Sequence, residues 1–85
     1  MSDPNLVSQI IAIVRQVGRI PRDATILAET DLIDDLRIDS LDLFAVVIEV
    51  QDRYNVLIDV EDMPRLTRVA DLAAYVAISR SAAAA

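Results

Sequence analysis

The sequence predicts an all-α fold: a small bundle of three main helices plus one short helix, with a long loop between helices 1 and 2. Three observations predict it. Apolar residues recur at helical spacing in three separate stretches, and a capping residue stands at the start of each. The chain, at 85 residues, has room for one core, and it contains no internal repeat or domain linker.

Asp3-Pro4 reads as an N-cap followed by proline at the first helical position, where a missing N–H costs nothing. Leu6, Ile10, Ile13, Val14 and Val17 follow on one face, so the first helix is expected over about residues 4–17. Gly18, the only glycine, sits where a left-handed residue would end that helix. From residue 18 to 39 no period is sustained. Ile20, Ile26, Leu27, Leu32, Ile33 and Leu36 are spaced there like anchors pinning an ordered loop to a core, with room for one short helical turn. A loop above about 15 residues is uncommon in a compact domain and usually functional. Asp39 is the expected N-cap of a second helix that reaches about Tyr54, and Asp42 gives a capping-box-like echo in its first turn. Phe44, Val46, Val47, Val50 and Tyr54 share its expected core face, with Leu41, Ala45 and Ile48 at the edge. Residues 59–66, with Pro64, read as the short helix. Thr67 is the expected cap of a last helix carrying Val69, Leu72, Ala73 and Val76 at strict spacing. The domain is expected over residues 1–80, with 81–85 a fraying tail.

Composition narrows the chemistry. Cysteine and histidine are both absent, which excludes disulfides, a thiol nucleophile and the usual general base. Any thiol in this protein's chemistry must come from outside. Fourteen acidic and eight basic residues, the latter all arginine, give a formal charge of −6. Such a surface repels phosphate backbones and anionic lipid, so neither nucleic acid nor membrane is an expected partner; proteins with basic patches are. The longest uncharged apolar runs, Leu43–Ile48 and Leu72–Ile78, fall well short of the roughly 18–20 residues of a membrane span. The first residues lack the basic and apolar regions of a secretory signal, so a cytoplasmic monomer is expected. The aspartates at 31, 34, 35, 39 and 42 match no calcium-loop spacing, and no metal ligand is assigned.

The distinctive string is Asp34-Asp35-Leu36-Arg37-Ile38-Asp39-Ser40-Leu41-Asp42. Alone, a serine in a helix's first turn is a capping residue. Here it follows a long acidic loop and opens the second helix of a short, acidic chain. From Leu6 to Val76 the sequence resembles the acyl carrier protein family, above all in the "acidic–Leu–x–x–Asp-Ser-Leu-Asp" segment at Asp35–Asp42. Tyr54, Ile58 and Thr67-x-Val69 also match in spacing. The resemblance implies an acyl-carrier-like bundle that is not an enzyme. In it Ser40 accepts a covalent 4′-phosphopantetheine arm from coenzyme A, through a phosphopantetheinyl transferase that uses a divalent metal. Acyl groups then ride as thioesters on the thiol at the end of the arm. The resemblance assigns Asp39 to transferase recognition. It assigns Leu41, Asp42, Ala45, Ile48, Glu49 and Asp52 to the face that meets acyl-loading, synthase or acyltransferase enzymes.

Several positions depart from the family pattern. Members serving general fatty-acid synthesis usually have glycine where Arg37 stands and acidic residues at Ala45, Gln51 and Arg53. These departures point to a carrier for a specialised lipid, polyketide or peptide-like pathway rather than bulk fatty-acid synthesis. A peptidyl or aminoacyl carrier is the nearest alternative, although Asp39-Ser40-Leu41-Asp42 favours the acyl branch. An unmodified acidic adaptor, in which Ser40 only caps a helix, is the alternative from another class.

Overall fold

A computed structural model describes residues 4–84, and the side chains of residues 4–80. Helices α1 (Pro4–Val17), α2 (Ser40–Tyr54) and α3 (Val69–Ala84) pack around one core, and a 3-10 helix, η1 (Val60–Arg65), precedes α3. Helix α1 contacts both α2 and α3. The expected cap at Asp3 lies outside the described residues. The backbone of α3 continues through residues 81–84, which the sequence assigns to the tail.

The core is made by the helical stripes. Leu6, Ile10, Ile13 and Val14 of α1 meet Leu43, Val46, Val47 and Val50 of α2 and Val69, Leu72, Ala73 and Val76 of α3. Two assignments differ from the sequence reading. Phe44 is 46% exposed, and Leu43 takes the core position expected for it. Leu27 and Ile33 are also exposed, so Ile26, Leu32 and Ile38 are the buried anchors of the long loop, with Ile20 and Leu36 packed beside them.

The end of α1 corrects a further expectation. Gly18 does not adopt a positive φ; Arg19 does, at 55°. The N–H of Ile20 reaches back to the Arg15 carbonyl at 3.0 Å, the long bond that closes a helix ending in a left-handed residue. Glycine is required at 18 by close approach instead. A Cβ there would lie 2.7 Å from the Val14 carbonyl oxygen and 3.1 Å from Ile38 Cδ1.

Polar contacts fix the path of the loop. One Arg15 guanidinium nitrogen donates to the carbonyls of Pro21, Arg22 and Ala24, at 2.8, 3.3 and 3.0 Å. Residues 31–36 form the helical turn for which the sequence has room. Asp31 Oδ1 accepts from the N–H groups of Ile33 and Asp34, and Asp35 Oδ2 accepts from the Asp31 N–H. Two of the acidic residues thus cap one turn. The loop also caps α3: the Thr30 and Ala28 carbonyls accept from Val69 and Ala70, and an antiparallel bridge pairs Asp31 with Arg68. Thr67 is therefore not the N-cap. Its carbonyl accepts from Leu32 at 2.7 Å.

Candidate functional site

Asp39 and Ser40 stand where the loop enters α2. Asp39 is extended, with φ −78° and ψ 172°, and Oδ1 accepts the Asp42 N–H at 2.9 Å. Its carbonyl accepts from Leu43 at 2.9 Å, the first bond of the helix. Asp39 is thus the N-cap, and Ser40 is the first helical residue. This separation of roles matters. Ser40 is exposed, and its hydroxyl forms no hydrogen bond among the described residues. The N–H groups of Ser40 and Leu41 are among the four that a helix start leaves without intrahelical partners, and no carbonyl among the described residues takes them. An exposed hydroxyl beside free N–H donors, at the positive end of a helix, fits a phosphodiester.

Outward from Ser40 the helix carries a second apolar stripe. Leu41, Phe44 and Ile48 lie at i, i+3 and i+7, and are 79%, 46% and 41% exposed. Ala45 is half-buried beside them. The inward stripe of Leu43, Val46, Val47 and Val50 is on the opposite side, so Leu41 and Ile48 do not widen the core contact. Phe44 is the member of this surface that the sequence reading missed. Spacing alone could not reveal it, because Leu41, Phe44, Ala45 and Ile48 recur at the same i, i+3, i+4, i+7 intervals as the four buried residues. Leu57 and Val60, also strongly exposed, follow in the segment after α2.

The charged residues of α2 have distinct environments. Glu49 is held by Arg53 at 3.1 Å, whereas the Asp42 and Asp52 carboxylates have no partner among the described residues. Just before the cap, Arg37 is exposed, makes no ion pair among the described residues, and holds a φ of 57°. Glycine suits that conformation, which gives the family's usual residue at this position a physical reason. In the loop, the Asp31 carboxyl is held below the usual carboxylate range. The main cause is the Asp34 N–H, aided by the Ile33 N–H, the Thr67 hydroxyl and the Arg68 charge, and opposed by burial. Among the described residues no three carboxylates gather in a group that could hold a metal ion.

The comparisons agree with this geometry. The family model described as the phosphopantetheine attachment site matches residues 8–76. An acyl carrier protein of Kineococcus radiotolerans is 33% identical over 75 residues, covering 88% of this chain and 91% of the relative. The meromycolate extension acyl carrier protein of Mycobacterium tuberculosis is 32% identical over 76 residues, covering 89% of this chain and 65% of that protein. A solved structure described as a candidate acyl carrier protein from Mycobacterium tuberculosis superposes with a TM-score of 0.76 at 32% identity, covering 86% of this chain and 96% of the other. Fold and match together define a phosphopantetheine-binding carrier domain. The chain belongs to the acyl carrier protein family, whose cofactor is 4′-phosphopantetheine.

Proposed function

We propose that this protein carries acyl groups as thioesters on a 4′-phosphopantetheine arm attached to Ser40. The observation that carries this reading is the division of labour at the start of α2. Asp39 supplies the cap, so the Ser40 hydroxyl is left exposed and unbonded. A serine serving only as a cap, as the adaptor reading requires, would accept the N–H that Asp39 accepts. Attachment forms a bond from Ser40 Oγ to phosphorus, breaks the pyrophosphate of coenzyme A, and releases 3′,5′-ADP. The serine proton passes to the transferase. The arm supplies the thiol that this cysteine-free chain lacks. The helix start contributes electrostatic support to the phosphodiester, worth about 0.3–1 kcal/mol at an exposed site.

Loading, synthase and acyltransferase enzymes meet the carrier on the outer side of α2, where Leu41, Asp42, Ala45, Ile48, Glu49 and Asp52 are reachable, and the transferase reads Asp39 beside the serine. The protein acts as a cytoplasmic monomer and a covalent substrate, not as a catalyst. Its pathway is a specialised lipid or polyketide one. The departures at Arg37, Ala45, Gln51 and Arg53 support this, as does similarity to a carrier named for meromycolate extension.

Intact mass, measured before and after incubation with coenzyme A, magnesium and a broad-specificity phosphopantetheinyl transferase, tests the assignment. The wild type is expected to gain one phosphopantetheine, and Ser40→Ala none. Folded wild-type protein that stays unmodified would refute it.

A further inference from the structure

Charge is unevenly placed along this acidic chain. Residues 4–22 hold three arginines and no carboxylate, whereas residues 23–85 hold five arginines against thirteen carboxylates. The acid-free stretch carries a groove of about 480 Å³, and every residue lining it belongs to that stretch. Ser8, Ile11, Ala12, Arg15 and Gln16 form one wall, at i, i+3, i+4, i+7 and i+8 on one face of α1. That face lies opposite the core stripe of Leu6, Ile10, Ile13 and Val14. Ile20 and Arg22 of the loop form the other wall. The bonds from Arg15 Nη1 to the Pro21, Arg22 and Ala24 carbonyls hold this loop wall against the helix and fix the guanidinium in place. Its Nε and Nη2 hydrogens, the fork that suits a carboxylate, have no partner among the described residues. Arg22 is exposed and makes no ion pair among them. Ile11, Ala12 and Ile20 give the groove its apolar surface, since none of the three is fully buried.

We propose that this groove is a docking surface of opposite charge to the rest of the chain, and that it takes an acidic amphipathic helix of a partner protein. From Ser8 to Gln16 the wall is about 12 Å long, roughly two helical turns. A helix laid along it with apolar residues at the same intervals fills the space over Ile11, Ala12 and Ile20. Carboxylates flanking that ridge meet Arg15 and Arg22. Arg15 loses little freedom on pairing, because the loop carbonyls already hold it. A small free anion is a poorer match, since the groove is open and leaves most of such a molecule in water. Nucleic acid and anionic lipid present wider arrays of charge, which meet the −6 of the whole chain. Neither Ser40 nor any residue of α2 lines the groove, so a partner held here leaves the arm's attachment point uncovered.

Amide shifts of isotope-labelled protein, followed by NMR during titration with a synthetic helical peptide, test the proposal. The peptide, of about 15 residues or about 22 Å of helix, carries leucine at i, i+3, i+4 and i+7 flanked by glutamates; its control has lysine for every glutamate. The glutamate peptide is expected to move residues 8–22, and the lysine peptide to leave them unmoved. Affinity for the glutamate peptide is expected to fall at least about threefold between roughly 0.01 M and 0.15 M ionic strength. Ala12→Glu and Arg22→Glu change exposed residues outside the core, so both are expected to melt with the wild type and to weaken the peptide at least about tenfold. Both are also expected to gain phosphopantetheine as the wild type does, which keeps this test separate from that of Ser40. Equal binding of the two peptides, shifts centred on Leu41, Phe44 and Ile48 instead, or no shift at about 1 mM peptide would each overturn the proposal. So would groove shifts that follow protein concentration with no peptide present, which assign the groove to a second copy of the chain.

Discussion

Arg37 holds a backbone conformation in which the Cβ of an L-residue crowds the following carbonyl, at a cost of about 1–2 kcal/mol. Glycine avoids that cost but loses more freedom on folding, about 0.5–1 kcal/mol. The difference leaves Arg37→Gly more stable by about 0.5–1 kcal/mol, which a urea melt at neutral pH would register as a higher midpoint with unchanged slope. Asn55, at φ 53° where α2 ends, occupies the same region with a side chain that tolerates it better. The cation at 37 is thus kept at some expense in stability, three residues before the serine proposed to receive the arm. Asp39 and Ser40 are legible from sequence because capping is local chemistry. The extended Asp39 backbone and its bond to the Asp42 N–H are what an aspartate before an apolar helix predicts.

At the scale of elements, the long loop is a set of short local devices rather than a free connection. Asp31 is central to it. Its carboxylate caps the turn at 31–36, and its backbone bridges to Arg68. Because the folded protein holds this carboxyl below its unfolded value, the stabilisation is complete above about pH 3.9, the unfolded value. It is lost as pH falls through the lowered folded value. Asp31→Ala is accordingly expected to cost about 1 kcal/mol at pH 7. The gap between its melting curve and that of the wild type should close as the pH drops below the wild type's lowered value. A gap that stays constant with pH would mean that the carboxylate charge contributes nothing to the turn. The sequence reading placed the acidic cluster in the loop but could not assign its bonds. Two of its carboxylates close on N–H groups four or fewer residues away, within a turn that hydropathy does not mark.

For the whole molecule, stability rests on a single small core in which α1 touches both other long helices. Leu72 of α3 is completely buried in it. Leu72→Ala removes the side chain from a site with little room to collapse, at about 2–5 kcal/mol. A domain of this size is stable by only about 5–15 kcal/mol, so a fall in melting temperature of at least about 10 °C is expected, read by circular dichroism. The outward stripe of α2 belongs to the same balance. Leu41, Phe44 and Ile48 contribute little to the core and leave apolar surface exposed to solvent.

The sequence by itself determined the three long helices, the start of α2 at Asp39-Ser40 and the family to which the chain belongs. Each depends on spacing and capping within a few residues, which the chain carries locally. Only the tertiary structure decided which of two apolar stripes on α2 turns inward. A helix with apolar residues on opposite sides has a period but no unique phase, and the phase is set by what α1 and α3 present to it. Tertiary structure likewise decided that loop carbonyls at 28 and 30, not the Thr67 side chain, receive the first N–H groups of α3. Those bonds join residues about forty positions apart, and no local preference encodes so distant a partner.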